Sequence, residues 1–357
     1  GMQKYLRELQ PSTFEDLIAM NALYRPGPMD YIPSFIARKQ GKEEIKYDIP
    51  VMERYLKDTY GITVYQEQVM LLSRLLANFT RGESDALRKA MGKKLIEKMN
   101  HLKSKFMACG KTNGYKEETL QKIWSDWEKF ASYAFNKSHA ACYAYVAFQT
   151  AYLKRHYPSQ FMAALLTSVL DNTDKVIEYS GECARLGIKV LPPDVNISNG
   201  GFTADDNGQI RFGLNAVKNV GRNLIENAVT ERKEKPYTSL YDFCKRMHGS
   251  ELNRRAVESL IKAGAFDTLE PSRHGMMESV ETVLRIVEND ARQNLDGQLD
   301  LFSAMAGAEE ASQNDDYQVP NLREYDSGEL LKMEKEVSGL YLSGHPLDAY
   351  REKIEKI

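Results

Sequence analysis

Cysteine is scarce in this 357-residue sequence. Cys109, Cys142, Cys183 and Cys244 stand far apart, no two form a CxxC pair, and no histidine lies at ligand spacing from them. That excludes a disulfide framework and the common zinc modules, and it fits a reducing compartment. Long apolar runs are missing as well. Nothing approaches the 18 consecutive apolar residues of a membrane span, and GMQKYLRELQ at the start lacks the apolar core of a signal peptide. A soluble, cytoplasmic chain with no membrane contact is expected. Net charge is nearly absent, −2 from 48 basic and 50 acidic residues, so any nucleic-acid contact must come from a local patch. Signatures of catalysis are missing too: there is no Asp-x-Asp pair, no GxxxxGK[ST] loop, no HExxH and no GxSxG. Nothing in the chain suits the two-magnesium arrangement of phosphoryl transfer, so no catalytic residue and no metal site are expected within it.

What is present is length, helix pattern and unevenly placed charge. The chain is too long for one compact core, and two or more domains are expected. An apolar content of 42% is ordinary, while 27% charged residues and a mean hydropathy of −0.50 indicate a wet surface. Residues 1–170 read as mainly helical. YRPGPMDYIP, with three prolines, must be a loop, whereas Val69, Leu72, Leu76 and Phe79 keep helical spacing. Ala140, Ala144, Ala147 and Ala151 form a stripe of small residues that lets another helix approach closely, and Pro158 ends or interrupts that helix. From about residue 187 the texture changes. GIKVLPPDVN reads as a short strand stopped by Pro-Pro, and FTADDNGQIRFGL as a hairpin with a type I′ turn at Asn207-Gly208. Helices then resume to about Gln293, the last amphipathic through Met276, Val280, Val283, Leu284 and Val287.

Three stretches could bind something. From Arg81 to Lys116 there are 10 basic residues against 3 acidic ones, with Arg88, Lys89, Lys93 and Lys94 inside seven positions. Such a cluster suits a polyphosphate or a nucleic-acid backbone. A solvated helix face would have the same composition, but Gly92 costs helix stability and lets a ligand near the backbone. The second stretch is Asn136, Lys137, Ser138 and His139 before the alanine-rich helix, where Asn136 or Ser138 could cap it. A helix N-terminus beside Lys and His is an anion site in waiting, although a plain cap is the commoner outcome. Tyr143 and Tyr145 could stack on a base, but tyrosines at such spacing usually belong to a core. The third is NAVKNVGRNLIENAV, whose Lys218, Asn219, Gly221 and Arg222 are arranged like a helix-hairpin-helix turn. There backbone N–H groups and a helix dipole meet a DNA phosphate. Asn219 stands where the first glycine is usual, which a left-handed Asn tolerates. ELNRRAVESLIKAGAFDTL reads as a more degenerate second copy, with Arg254, Arg255 and Gly264. Two copies make duplex binding the better reading over ordinary αα-hairpins.

Between Glu288 and Glu336 there are 13 acidic residues against 4 basic ones. Such composition predicts a mobile tether with too little apolar surface to offset the entropy of ordering. GQLDLF lies near its start with no matching apolar pattern around it. An ordered pattern resumes in LLKMEKEVSGLYLSGHPLDAY and breaks off at Ile357, as though a further domain followed.

LQPSTFEDLIAMNALYRPGPM, TYGITVYQEQVM, LRKAMGKK, FNKSHAACYAYVAFQTAYLKRHYP, LIKAGAFDTL and SGLYLSGHPLDAY together resemble the bacterial DNA polymerase III α-subunits, the C-family replicative polymerases. The resemblance runs from residue 1 to 357 and covers only the middle of those large proteins. It implies a mainly α architecture: a multi-helical fingers domain (1–170), then a small helical clamp-binding domain (171–293) with tandem helix-hairpin-helix elements at about 211–229 and 251–269 and a minor β-hairpin. An acidic tether (294–336) and the start of a connection to an OB-fold domain (337–357) would follow. The palm, with its catalytic aspartates and Mg2+, would lie upstream. The resemblance assigns the incoming dNTP's triphosphate to Arg88, Lys89, Lys93, Lys94, Lys137, Ser138 and His139. It also gives Gln298, Leu299, Asp300, Leu301 and Phe302 a purpose, as the peptide that grips the ring-shaped sliding clamp: an apolar pair on a tether enters a pocket without leaving a core. Tethering then raises local concentration. The function implied is DNA-directed DNA polymerase activity in the whole subunit, with primer-template DNA, dNTP, the sliding clamp (β subunit) and other replicase subunits as partners. The competing reading is a stand-alone, clamp-associated DNA-binding adaptor.

Overall fold

The computed structural model describes residues 1–93, 95–131, 134–295 and 317–347. It divides into two compact units, residues 1–151 and 152–357, so the first ends some twenty residues before the expected boundary at 170.

The first unit is helical: α1 (Met2–Leu9), α2 (Phe14–Leu23), α3 (Ile32–Lys39), α4 (Glu53–Leu56), α5 (Gln66–Ala77), α6 (Arg81–Gly92), α7 (Ile96–Thr112), α8 (Glu117–Phe130) and the first part of α9 (Lys137–His156). The YRPGPM stretch becomes a 3-10 turn at Pro28–Tyr31, and Pro33 then falls in the first turn of α3, where a missing N–H costs nothing. A capping box starts α2. The Thr13 hydroxyl accepts the Asp16 N–H while the Asp16 carboxylate accepts that of Thr13. Asp16 is fully buried and also takes Ser12 N–H at 2.9 Å, Tyr60 O–H at 2.8 Å and Lys39 at 3.3 Å. Burial pushes its carboxyl up, but these hydrogen bonds outweigh burial and hold it below the ordinary carboxylate range. Gln68 fixes the entry to α5, accepting Val64 and Tyr65 N–H at 2.7 and 2.9 Å and donating to Thr59 Oγ1 at 2.8 Å. Val69, Leu72 and Leu76 then point inward as their spacing predicts. Their core is closed by Phe106, Trp124 and Trp127, with ring centroids 5.0–5.9 Å apart.

The second unit continues with α10 (Pro158–Thr167) and α11 (Thr173–Arg185), a small sheet, α12 (Arg222–Glu231), α13 (Leu240–Arg246), α14 (Arg254–Lys262), α15 (Arg273–Leu295) and α16 (Ser327–Ser338). The sheet has strand order β1 (Val190–Leu191), β3 (Ile210–Arg211), β2 (Thr203–Ala204), with β1 parallel and β2 antiparallel to β3. Pro192-Pro193 follows β1, as expected. The β2–β3 turn differs from expectation. Only Gly208 takes a positive φ (75°), so the turn is not type I′. Asp205 organises it instead, its carboxylate accepting Asn207 and Gln209 N–H at 3.0 and 2.7 Å.

On α15, Met276, Val280, Val283 and Val287 are buried and Leu284 partly so. The tether expectation is corrected for residues 317–336, which pack. Val319 is buried and the Tyr317 hydroxyl donates to Ser279 Oγ at 3.2 Å. Glu324 accepts the Arg273 and His274 N–H groups at the start of α15. A capping box at Asp326 and Glu329 opens α16, which buries Leu331, Glu334 and Val337. Charge counting misses this because three spaced residues suffice to anchor a short helix. The key ion cluster lies here. Arg273 bridges Asp267 (2.6 Å) and the wholly buried Glu334 (3.1 Å), while Glu334 also accepts Leu342 and Ser343 N–H.

Candidate functional site

The basic cluster occupies the end of α6. Arg88 is not free, since it donates to Asp85 at 2.8 and 3.0 Å, and Lys89 meets the other oxygen of Asp85 at 2.8 Å. The two cations hold the Asp85 carboxyl below its usual range, Lys89 most strongly. Lys93 caps the helix and is exposed, and open space surrounds the Cα of Gly92. Lys94 lies outside the described residues. Asp85 precedes Arg88 and Lys89 by three and four positions, a spacing that predicts the pairing.

The second stretch is tied to the same helical hairpin. Only residues 78–80 join α5 to α6, the two helices pack on each other, and the start of α5 carries the second stretch. There Gln66 N–H donates to Phe135 O at 2.9 Å, and the Glu67 carboxylate takes Asn136 Nδ2 at 2.8 Å and Lys137 N–H at 2.9 Å. Asn136 is the cap of α9, accepting the His139 N–H at 2.8 Å. Lys137 Nζ lies over the Tyr65 ring at 5.4 Å. Ser138 is exposed, and the His139 ring lies between Phe135 and Tyr143, at 5.5 and 4.6 Å. Local sequence missed Glu67: a carboxylate seventy positions away already sits on the helix start that an anion would want.

In the third stretch the first helix shrinks to a 3-10 turn, Leu214–Ala216, but the hairpin turn forms. Asn219 adopts the left-handed conformation (φ 64°) and Gly221 caps α12. Asn219, Gly221 and Arg222 are exposed. Among the described residues no protein acceptor takes the N–H of Asn219, Val220 or Gly221. Three amides without a protein acceptor at a helix start suit an anion. Arg222 is held by Asp171 at 2.7 and 2.8 Å. Lys218 turns the other way, its N–H to Val337 O at 2.8 Å and its Nζ to Glu336 O at 3.1 Å, at the end of α16. Glu251, itself at φ 61°, accepts Asn223 Nδ2 at 3.0 Å beside Gly221. The second copy is closed. Gly264 is buried with φ 83°, its N–H donates to Ile261 O, and a Cβ there would strike Arg273 and Asp267. Arg254 pairs with Glu258 (2.7 Å) and Glu281 (3.3 Å), and Arg255 is exposed. Of the two turns, then, the first alone leaves its amides without a protein acceptor among the described residues.

Comparison with known proteins agrees with this layout. The family described as bacterial DNA polymerase III alpha subunit finger domain matches residues 1–114, and the helix-hairpin-helix motif family matches residues 187–276. The DNA polymerase III subunit alpha of Borreliella burgdorferi is 43% identical over 99% of this chain and 31% of its own length. The chain belongs to the bacterial DNA polymerase III α-subunit family. The subunit alpha of Chlamydia pneumoniae is 44% identical over 100% of the chain and 29% of its own length; for that of Escherichia coli the figures are 42%, 100% and 31%. The chain thus spans about a third of the length of these family members. The mainly helical fold with a helix-hairpin-helix region is as expected from the sequence. Gln298, Leu299, Asp300, Leu301 and Phe302 lie outside the described residues. Among those described, no group of three or more His, Cys, Asp or Glu side chains could hold a metal ion, and no helix is long and apolar enough to cross a membrane.

Proposed function

We propose that this chain supplies the grips of a replicative DNA-directed DNA polymerase. The exposed Lys93, with Lys94 beside it in sequence, Arg88 and Lys89, and the side chains of Lys137, Ser138 and His139 at the start of α9 hold the triphosphate of the incoming dNTP, the Lys137 N–H there being already taken by Glu67. The 219–221 turn holds a phosphate of the primer-template duplex, and residues 298–302 dock on the sliding clamp. The observation that carries this reading is the end-to-end alignment, 42–44% identical, with proteins named DNA polymerase III subunit alpha. The open amides at Asn219, Val220 and Gly221 support the duplex contact on independent, geometric grounds. The metal ions and aspartates of the reaction belong to the remainder of the polypeptide, and the chain by itself performs no nucleotide transfer.

Physically, the chain positions charge rather than breaking bonds. Asp85 half-neutralises Arg88 and Lys89 and keeps them in register until a polyphosphate competes for them. The helix-hairpin-helix turn adds sequence-independent affinity for duplex, which suits an enzyme that must copy any template. Duplex binding measured against salt tests the DNA contact. The affinity should fall steeply with salt, and Arg222→Ala, at the 219–221 turn, should reduce the log–log slope by about 0.9. A salt-independent affinity, or no duplex binding at all, removes duplex contact from the proposal.

A further inference from the structure

Between Lys137 and Lys154 the sequence contains no Asp, Glu, Lys or Arg, in a chain that is 27% charged. Folded, this stretch is most of α9, of which only Ala140 and Ala144 are buried. Tyr143, Tyr145, Val146 and Phe148 are 60, 57, 56 and 51% exposed. At 100° per residue these four positions are spread around the helix rather than along one stripe. Helices apolar on every side are normally enclosed, and contiguous exposed apolar surface marks a docking site.

A groove lies beside it, within the same unit. The Phe14 ring meets Tyr145 and Phe148 edge-on, with centroids 6.5 and 6.3 Å away. With Pro11, Ser12, Thr13 and Leu17 these rings line an open groove of about 530 Å³. The lining is almost wholly apolar, and α2 is held rigidly there by the capping box of Thr13 and Asp16. The groove is therefore preformed.

We infer that α9 and this groove form the seat of another domain of the same, longer polypeptide, one that presents an uncharged apolar face. Two observations select that occupant. More than two thirds of each of these relatives lies outside the aligned segment, so polypeptide is available to cover the surface. From Ala140 to Leu153, past the first turn of α9, the surface also offers no Lys, Arg or His, which suits a protein face and not a phosphate backbone. The inference goes beyond the grips proposed above and does not depend on them.

The test places a photo-crosslinking benzoylphenylalanine at Tyr145, and separately at Phe148, in the full-length polypeptide, and maps the crosslinks by mass spectrometry. Crosslinks to peptides outside residues 1–357 are expected. Crosslinks confined to residues 152–357, crosslinks between two copies, or crosslinks formed only to added primer-template DNA would each overturn the assignment. A second measurement guards against a disturbed fold. Tyr145→Ser with Phe148→Ser should lower the melting temperature of the full-length polypeptide while leaving that of the 357-residue chain unchanged or raised. Equal losses in both would overturn it as well.

Discussion

A Cβ built on Gly264 would lie 2.3 Å from Nη2 of Arg273. Glycine here makes room for the arginine that joins α15 to Glu334 of α16, and its φ of 83° would strain any other residue. Gly264→Ala should therefore destabilise the second unit by about 3 kcal/mol, a loss of roughly 6–12 °C in Tm. The damage should centre on the packing of α16, because a displaced Arg273 leaves Glu334 buried without its partner. Thermal unfolding with hydrogen exchange across residues 327–343 checks this. An unchanged Tm would show that the pair is not structural.

Gly221 gives the opposite expectation. Its φ of −71° suits any residue, and the nearest atom to an added Cβ is Glu251 Oε2 at 3.4 Å. Gly221→Ala should leave stability within about 0.5 kcal/mol. A methyl group at the turn would crowd a phosphate drawn to the amides of residues 219–221, however, so duplex affinity should fall about tenfold at fixed salt. Calorimetry with fluorescence anisotropy separates the two effects, and equal DNA binding would remove the turn from the interface.

At the other site, Lys93 is the exposed cation with no carboxylate beside it in the described structure, whereas Arg88 and Lys89 share Asp85. Lys93→Ala in the full-length polypeptide should weaken dNTP binding about tenfold, the scale of one charge-assisted contact. Duplex affinity should stay the same. A variant that loses both would point to misfolding, and one that loses neither would take Lys93 out of the site.

How much of this is legible in the chain depends on range. Helices α5 and α15 follow from apolar spacing within a few turns, and the hairpin at Asn219–Gly221 from a local turn pattern. Partners distant in sequence leave no local trace. Glu67 reaches Asn136 and Lys137 across about seventy positions, and Arg273 reaches Glu334 across about sixty. Gly264 thus looks like a second phosphate turn until its buried surroundings are known. Composition misled at residues 317–336, where charge hides three anchoring residues, and at Tyr143 and Tyr145, where core-like spacing stands on an exposed helix.

Asp16 sets an acid limit on the first unit. Its carboxyl is held below the ordinary range in the fold and regains about 3.8 when unfolded, so the unfolded state takes up the proton first. The stabilisation is complete above about pH 4 and is lost as the pH falls below that value. Asp16→Asn should cost about 2 kcal/mol at pH 7, since three N–H or O–H donors and Lys39 lose their anion. The variant should also show a shallower fall in Tm below pH 4 than the parent. Parallel pH profiles would mean that another carboxylate governs the acid transition.

The clamp peptide yields to a comparison of two binding events on one chain. Leu301→Ala with Phe302→Ala removes both apolar anchors that the proposal gives to the ring. Truncating anchors of this kind costs about 2 kcal/mol or more each, so retention of the chain by purified sliding clamp should fall at least about a hundredfold. Gln298→Ala, which removes hydrogen bonds and not the anchor, should cost less. Duplex affinity in the absence of clamp should not change in any of these variants, because the proposal gives the duplex contact to the 219–221 turn and not to these side chains. Clamp retention that survives the double substitution would move the docking element elsewhere in the polypeptide. Retention lost together with duplex binding would mean that the two grips are one surface.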